Sequence, residues 1–385
     1  MKILICTGIY PPDIGGPATQ AKVLFEELPK YQCQAKVVTY GDPATGGLES
    51  GSIFYISRRQ NILFRYLKYF WKVFCLSKEA DIIYAFDLIS VGLPCAVAKI
   101  LRPRAKLFVR LGGDYQWERA TQTREYAKTL EQYYIDSKFS PSEKLIYFIT
   151  NFVIGRASRI IFNARLLKDI YVKYRGLSED QTAVIGNIKQ DIIIKTKPAT
   201  KDYINILFAG RLIAARNLKN LIGAFALINK NVFPKKIELE IIGNGPEKNG
   251  LEAEIGSLGM GDGVKIFPQL GRDELLEKIN NSDLVALVSL TEINSNFMME
   301  ALSLGKVVIL TEKSEPCYVG YKNALIYYVN PFDKLDIAEK VELALGDLLS
   351  GRINGTQGGL SGEEEEKIYL SADQNIKSHL KIFNA

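Results

Sequence analysis

The stretch "DLVALVSLTEINSNFMMEALSLGKVVILTE", residues 283–312, reads as three elements in a row. "DLVALVSL" is a short, continuous apolar run, the pattern of a strand covered on both faces. Asn294 or Ser295 is a good N-cap, "NFMMEALSL" is helical, and Gly305 is a C-terminal stop. "KVVILTE" is a second strand of the same buried kind. Strand, helix and strand in this order point to a parallel sheet with a helix covering its face.

The same alternation runs outward in both directions. The first half contains "KILICTGIY", "AKVVTYG", "DIIYAF", "KLFVRLG" and "RIIFNA"; the second adds "INILFAGR", "IELEIIGNG" and "VKIFPQ" before the opening stretch. Two successive sets of about five strands predict two doubly wound α/β domains rather than one very large sheet. The Lys-, Thr- and Pro-bearing stretch "KQDIIIKTKPATKDY", residues 189–203, is the expected linker. Domains are therefore expected over 1–190 and 200–365. Near the end, Ser361 with Glu364 makes a capping box, and the acidic run suits the positive end of a helix better than an interaction tail.

Composition narrows the function classes. A net charge of +6 over 385 residues suits weak attraction to an anionic lipid or phosphorylated substrate and falls short of a nucleic-acid footprint. Five scattered cysteines without a CxxC pair argue against a disulfide framework or a zinc site. The single histidine, His379, makes a Ser-His-Asp triad or a multi-histidine metal site a poor expectation. No uncharged apolar run approaches a membrane span, the longest being the 11 residues "LIYFITNFVIG", and a cytoplasmic location is expected.

Several positions point to an anionic ligand. In "YPPDIGGPATQAKVLFEEL", Gly15 and Gly16 let the backbone approach a ligand just before a helix whose exposed amides attract phosphate, although a plain Gly-rich turn accounts for the pattern equally well. A dinucleotide fingerprint is missing: "GNGPEKNG", residues 243–250, has Lys248 where the third glycine would stand. No Asp-x-Asp pair occurs, so no metal ligands are expected and a diphosphate would be neutralised by cationic side chains and helix ends. Arg211, just past a strand, and Arg216, expected where the next helix begins, make a sensible grip. Glu292 above the strand end and Glu300 one turn into the helix flank the amides of Ile293, Asn294, Ser295 and Asn296. That arrangement could hold a sugar, a ribose and the phosphates between them; spacing alone equally fits a loop Glu and an ordinary helix Glu.

A resemblance decides among these readings. "SLTEINSNFMMEALSLGKVVILTE" resembles the EX7E segment of retaining glycosyltransferases of family 4, which have the two-domain GT-B fold of two Rossmann-like domains facing across a cleft. "ILICTGIYPPDIGGPATQ", "FAGRLIAARNLKNLIGAF", "EIIGNGPEKNGLE" and "NALIYYVNPFDKLDIAEKV" resemble further segments of that family in the same order. The resemblance implies a donor diphosphate held by Arg211 and Arg216, a ribose on Glu300, the donor sugar on Glu292 and the loop amides, and Gly16 approaching the phosphates. It also implies a C-terminal helix, 366–385, packing back on the first domain. Three positions depart from the family: Arg216 replaces a usual lysine, Ile293 a usual glycine, and the stretch Gly112, Gly113, Asp114 a frequent histidine, leaving polar contacts there to Asp114 or Arg110.

The implied function is a metal-independent, retaining hexosyltransferase that uses a nucleotide sugar as substrate, requires no cofactor, and acts on a glycan or lipid-linked acceptor in bacterial cell-surface polysaccharide synthesis. A nucleotide-sugar epimerase of the same fold and a non-catalytic sugar-binding protein are the alternatives. For the acceptor side, "SRRQNILFRYLKYFWKVFCLSK", residues 57–78, holds six basic residues and no acidic one. Either it lies on an anionic membrane, placing the protein at the inner face of the plasma membrane, or it packs into its domain with a solvated basic stripe. The wide apolar coverage favours the packed helix.

Overall fold

The computed structural model describes residues 1–42, 51–188, 192, 194, 201–315, 325–353 and 370–385. Most of the expected linker and the Ser361–Glu364 capping box lie outside them. The chain divides into two compact units: Met1–Gln116, Ser137–Lys189 and Tyr369–Ala385 form the first, and Trp117–Asp136 with Gln190–Ile368 the second.

In the first unit, β1 (Lys2–Thr7), β2 (Gln34–Tyr40), β3 (Ile53–Ile56), β4 (Ile82–Ala85), β5 (Lys106–Leu111), β6 (Arg159–Phe162) and β7 (Thr182–Val184) form one sheet in the order β3-β2-β1-β4-β5-β6-β7. All neighbours pair in parallel. Its helices are α1 (Gly16–Glu27), α2 (Ile62–Leu76), α3 (Gly92–Leu101), α6 (Pro141–Ile154) and α7 (Arg165–Arg175), while α4 (Tyr115–Arg124), from Trp117 on, and α5 (Leu130–Asp136) lie in the second unit. The chain steps one way across the sheet from β1 to β2 and the other way from β3 onward. Right-handed crossovers then put α1 on one face and α2, α3 and α6 on the other. Helix α2 packs beside α3, and α3 beside α6.

The second unit carries β8 (Tyr203–Ala209), β9 (Lys236–Ile242), β10 (Val264–Phe267), β11 (Leu284–Leu287), β12 (Val307–Thr311) and β13 (Ile326–Val329) in the order β10-β9-β8-β11-β12-β13, again all parallel. Its further helices are α8 (Leu218–Leu227), α9 (Lys248–Ser257), α10 (Arg272–Asn280), α11 (Asn296–Ser303) and α12 (Lys334–Leu349). Every residue of β4, β11 and β12 is buried, which is why these strands read as unbroken apolar runs. The sheets have seven and six strands, not about five each. The additional strands β3, β7 and β13 are short edge strands: β3 (IFYI) and β13 (IYYV) are apolar runs that the count of five passes over, whereas β7 is only the three residues TAV, one of them buried.

The division departs from the expected boundaries at Trp117–Asp136, which lies with the second unit instead of the first. Polar contacts explain why. Gln122 donates from Nε2 to Glu247 at 2.6 Å and accepts from the Ala214 amide at 3.1 Å, while Thr291 Oγ1 accepts from the Leu130 amide at 2.9 Å.

The last helix, α13 (Ala372–Asn384), belongs to the first unit and begins at a capping box of Ser371 and Gln374. It seats Ile376 and Phe383 in a cluster with Tyr84, Phe86 and Phe108. Asn375 donates to the Gly186 carbonyl at 2.9 Å and accepts from Gln20 Nε2 at 3.0 Å. His379 is fully buried; its Nδ1–H donates to the Asn375 carbonyl at 2.8 Å, and its Nε2 accepts from Tyr84 Oη at 2.9 Å. Burial, then the charge of Arg110, pulls its pKa down to about 3. The unfolded chain therefore binds a proton that the folded chain refuses. His379 costs no stability above pH ~6.5, and its contribution is lost progressively as pH falls toward about 3. Melting temperatures between these limits should fall more steeply with acid in the parent than in His379→Gln; equal slopes would rule this out.

Candidate functional site

The loop after β8 carries Arg211, and its path is set by backbone packing. The Gly210 amide donates to the Ile242 carbonyl at 3.0 Å, and the Leu212 amide to that of Asn244 at 2.9 Å. A Cβ on Gly243 would lie 1.9 Å from the Gly210 carbonyl oxygen, and one on Gly245 2.2 Å from that of Leu212. The glycines of "GNGPEKNG" thus admit the neighbouring loop and hold Arg211 at the strand end. The Arg211 side chain is 61 % exposed, and its Nη2 donates to both carboxylate oxygens of Glu118 at 2.9 and 3.0 Å.

Arg216 ends a 3-10 turn, Ala214–Arg216, two residues before α8 instead of at the helix start. The turn is pinned to the segment after β11: the Leu290 amide donates to the Ala215 carbonyl at 3.0 Å, and Asn217 Nδ2 to those of Val288 at 3.0 Å and Pro331 at 2.7 Å. Asn217 takes up the left-handed φ of 59° that turns the chain into α8. Arg216 Nη1 consequently reaches Glu292, donating to Oε2, and contacts Ser289 Oγ at 3.4 Å. Ser289 Oγ donates to the same Glu292 oxygen at 2.9 Å.

Glu292 is only 3 % exposed. Its backbone is fixed as well, the amide donating to the Lys313 carbonyl at 2.9 Å and the carbonyl accepting from the Glu315 amide at 3.1 Å. The carboxylate of Glu292, then that of Glu118, raises the Arg216 pKa against the opposing effect of burial.

Beyond Glu292, Ile293 is buried, and Asn294, Ser295 and Asn296 are half-buried. Ser295 is the N-cap of α11, its Oγ accepting from the Met298 amide at 3.3 Å. Glu300 follows in the second turn, and Arg272 Nε at the start of α10 lies 3.4 Å from its Oε1. Burial raises the Glu300 pKa, with Arg272 opposing. The second unit therefore gathers Arg211, Arg216 and Glu292 at the carboxyl ends of β8 and β11, with Glu300 on the helix that follows. This is where open α/β sheets take ligands. Glu118, Gln122, Ser289 and Arg272 join them without having stood out in the sequence, since their roles come from tertiary contacts.

The remaining expected positions belong to the first unit. Gly15 precedes α1 and Gly16 is its first residue. Asp114 is buried, its Oδ2 accepting from Tyr171 Oη at 2.9 Å. Arg110 is buried too, donating from Nη1 to the Ile185 carbonyl at 3.1 Å and from Nη2 to Asn187 Oδ1 at 3.2 Å. Both side chains serve the interior of their own unit, because the strand end that carries them is covered by α7 and by the segment after β7.

Residues 189–349 match the family model described as glycosyl transferases group 1. No curated protein matches the chain by sequence. Among solved structures, Anabaena Alr3699/HepE in complex with UDP-glucose is 17% identical, with 100% of this chain and 99% of that one covered and a TM-score of 0.73. Sucrose-phosphate synthase from Thermosynechococcus elongatus gives 15% identity, 100% and 98% coverage and a TM-score of 0.73. WaaG, a glycosyltransferase involved in lipopolysaccharide biosynthesis, gives 13%, 100% of both chains and 0.72. The fold is GT-B, with two parallel-sheet α/β domains.

Proposed function

We propose that the protein is a retaining glycosyltransferase that moves a sugar from a nucleoside-diphosphate sugar to a glycan or lipid-linked acceptor. The reading rests on the Arg216–Glu292–Ser289 cluster with Arg211, within the segment that matches glycosyl transferases group 1. The UDP-glucose held by HepE and the lipopolysaccharide role of WaaG support a nucleotide-sugar donor and a place in bacterial cell-surface polysaccharide synthesis. Action at the inner face of the plasma membrane belongs to the same proposal.

In this reading the donor diphosphate replaces Glu118 on Arg211 and meets the outer side of Arg216. Glu292 accepts hydrogen bonds from sugar hydroxyls, Glu300 from the ribose, and the amides of Ile293–Asn296 face the sugar and phosphates at the positive end of α11. The bond from the anomeric carbon to the β-phosphate oxygen breaks, and a bond to the acceptor oxygen forms on the same face. The acceptor proton passes to the departing phosphate. Arg211 and Arg216 stabilise the charge that develops there and so neutralise the diphosphate without a metal ion.

Thermal melting with UDP, GDP, ADP and NAD, with and without Mg²⁺, tests the donor site. One nucleoside diphosphate at about 100 times its Kd should add ~2.7 kcal/mol without metal, and Glu300→Ala and Arg211→Ala should remove most of that gain. A response to NAD alone, or to none of the four, would sink the reading. Product analysis should then give a glycoside with the donor's anomeric configuration, in place of an epimerised or unchanged sugar.

A further inference from the structure

Helix α2 does not bury its apolar coverage as its sequence suggests. Tyr69 and Val73 face the interior, but Phe64, Leu67 and Trp71, at helical spacing, are exposed, Trp71 to 62 %. The neighbouring helices continue the pattern. Ile100 is exposed on α3, and Leu145 and Phe148 on α6, Phe148 to 70 %. These helices lie side by side on one face of the first sheet, so the exposed residues belong to one layer. Soluble surfaces seldom gather large apolar residues in this way without a partner.

Charge identifies the partner. The three helices carry Arg65, Lys68, Lys72, Lys99 and Lys144, and their one acidic residue, Glu143, is buried in its own capping box. Lys68 and Lys144 are exposed beside the apolar stripe. We propose that the outer face of α2, α3 and α6 docks on an anionic lipid bilayer, with the aromatic side chains at headgroup depth and the lysines against the lipid phosphates. A second copy of the chain would set this basic fringe against itself, which disfavours self-association through the same face. The proposal extends the lipid-linked reading of the acceptor from 57–78 to a three-helix surface. It is tested without donor or acceptor.

The experiment is co-sedimentation with vesicles of phosphatidylcholine alone and with a quarter phosphatidylglycerol. The parent should bind the anionic vesicles and leave the neutral ones largely unoccupied, and its Trp71 emission should shift to the blue. Trp71→Glu combined with Phe148→Glu should lower partitioning at least tenfold. Lys68→Gln and Lys144→Gln should each lower it about fivefold, the equivalent of ~1 kcal/mol per basic residue at an anionic surface. Circular dichroism and the nucleotide-induced melting shift, both expected to be unchanged, separate a lost surface from a lost fold or donor site. Equal binding of parent and double variant, no binding to either vesicle, or a concentration-dependent dimer that the double variant abolishes would each overturn the proposal.

Discussion

Arg216→Ala is expected to reduce kcat/KM by roughly a thousandfold, the scale of removing a charged donor from a developing phosphate anion. The same change should cost about 2–3 kcal/mol of stability. Glu292 is almost wholly buried and, among the described residues, would keep only the Ser289 hydroxyl as a side-chain partner, while the quarter exposure of Arg216 keeps the loss below that of a fully buried pair. The two effects can be separated. Arg216→Ala combined with Glu292→Gln should regain stability, because a neutral amide needs no counter-charge, yet remain inactive. Arg216→Lys keeps the charge and should retain much of both properties. Denaturant melts and initial rates on the four proteins decide the matter, and unaltered turnover in Arg216→Ala would remove Arg216 from the mechanism.

The second large effect is expected at Gly243. Its missing Cβ is where the Gly210 carbonyl oxygen lies, 1.9 Å away, and the nearest obstacle is backbone that cannot rotate aside. Gly243→Ala should cost about 3 kcal/mol, the upper range for overpacking, and should displace the loop that carries Arg211. Loss of nucleotide-induced stabilisation should accompany the lower melting temperature. Gly261→Ala is the control, since nothing lies within 4 Å of its added Cβ. A melting temperature for Gly243→Ala equal to that of the control would show that the loop yields freely.

Both outcomes bear on what the chain reveals before it folds. The buried strands announce themselves because each is apolar on both faces: "DLVALVSL" and "KVVILTE" are β11 and β12. Edge strand β7 does not, being three residues long with one of them buried, whereas β3 is the short apolar run IFYI at the other edge. The helix after β11 was legible to its cap, Ser295, and its stop, Gly305, which takes a left-handed φ of 67°. Carboxylate spacing and family resemblance together singled out Glu292 and Glu300, whereas the contacts that hold Glu292 come from Arg216, 76 positions away, and from Ser289. Glu118 lies in "QWERATQTRE", which carries no site pattern, and only tertiary packing turns it toward Arg211. "GNGPEKNG" fails as a dinucleotide fingerprint, yet Gly243 and Gly245 have a steric task beside the Gly210 and Leu212 carbonyls. Apolar width overstates burial for α2, where Tyr69 and Val73 are buried while Phe64, Leu67 and Trp71 are exposed.

The segment Trp117–Asp136 makes neither unit a continuous stretch of chain. The backbone passes between them after Gln116, Asp136, Lys189 and Ile368. Exchange of residues 190–368 for the equivalent half of a relative would therefore import the second unit without the piece that Gln122 and Leu130 anchor to it. A chimera of the two halves has to carry 117–136 along.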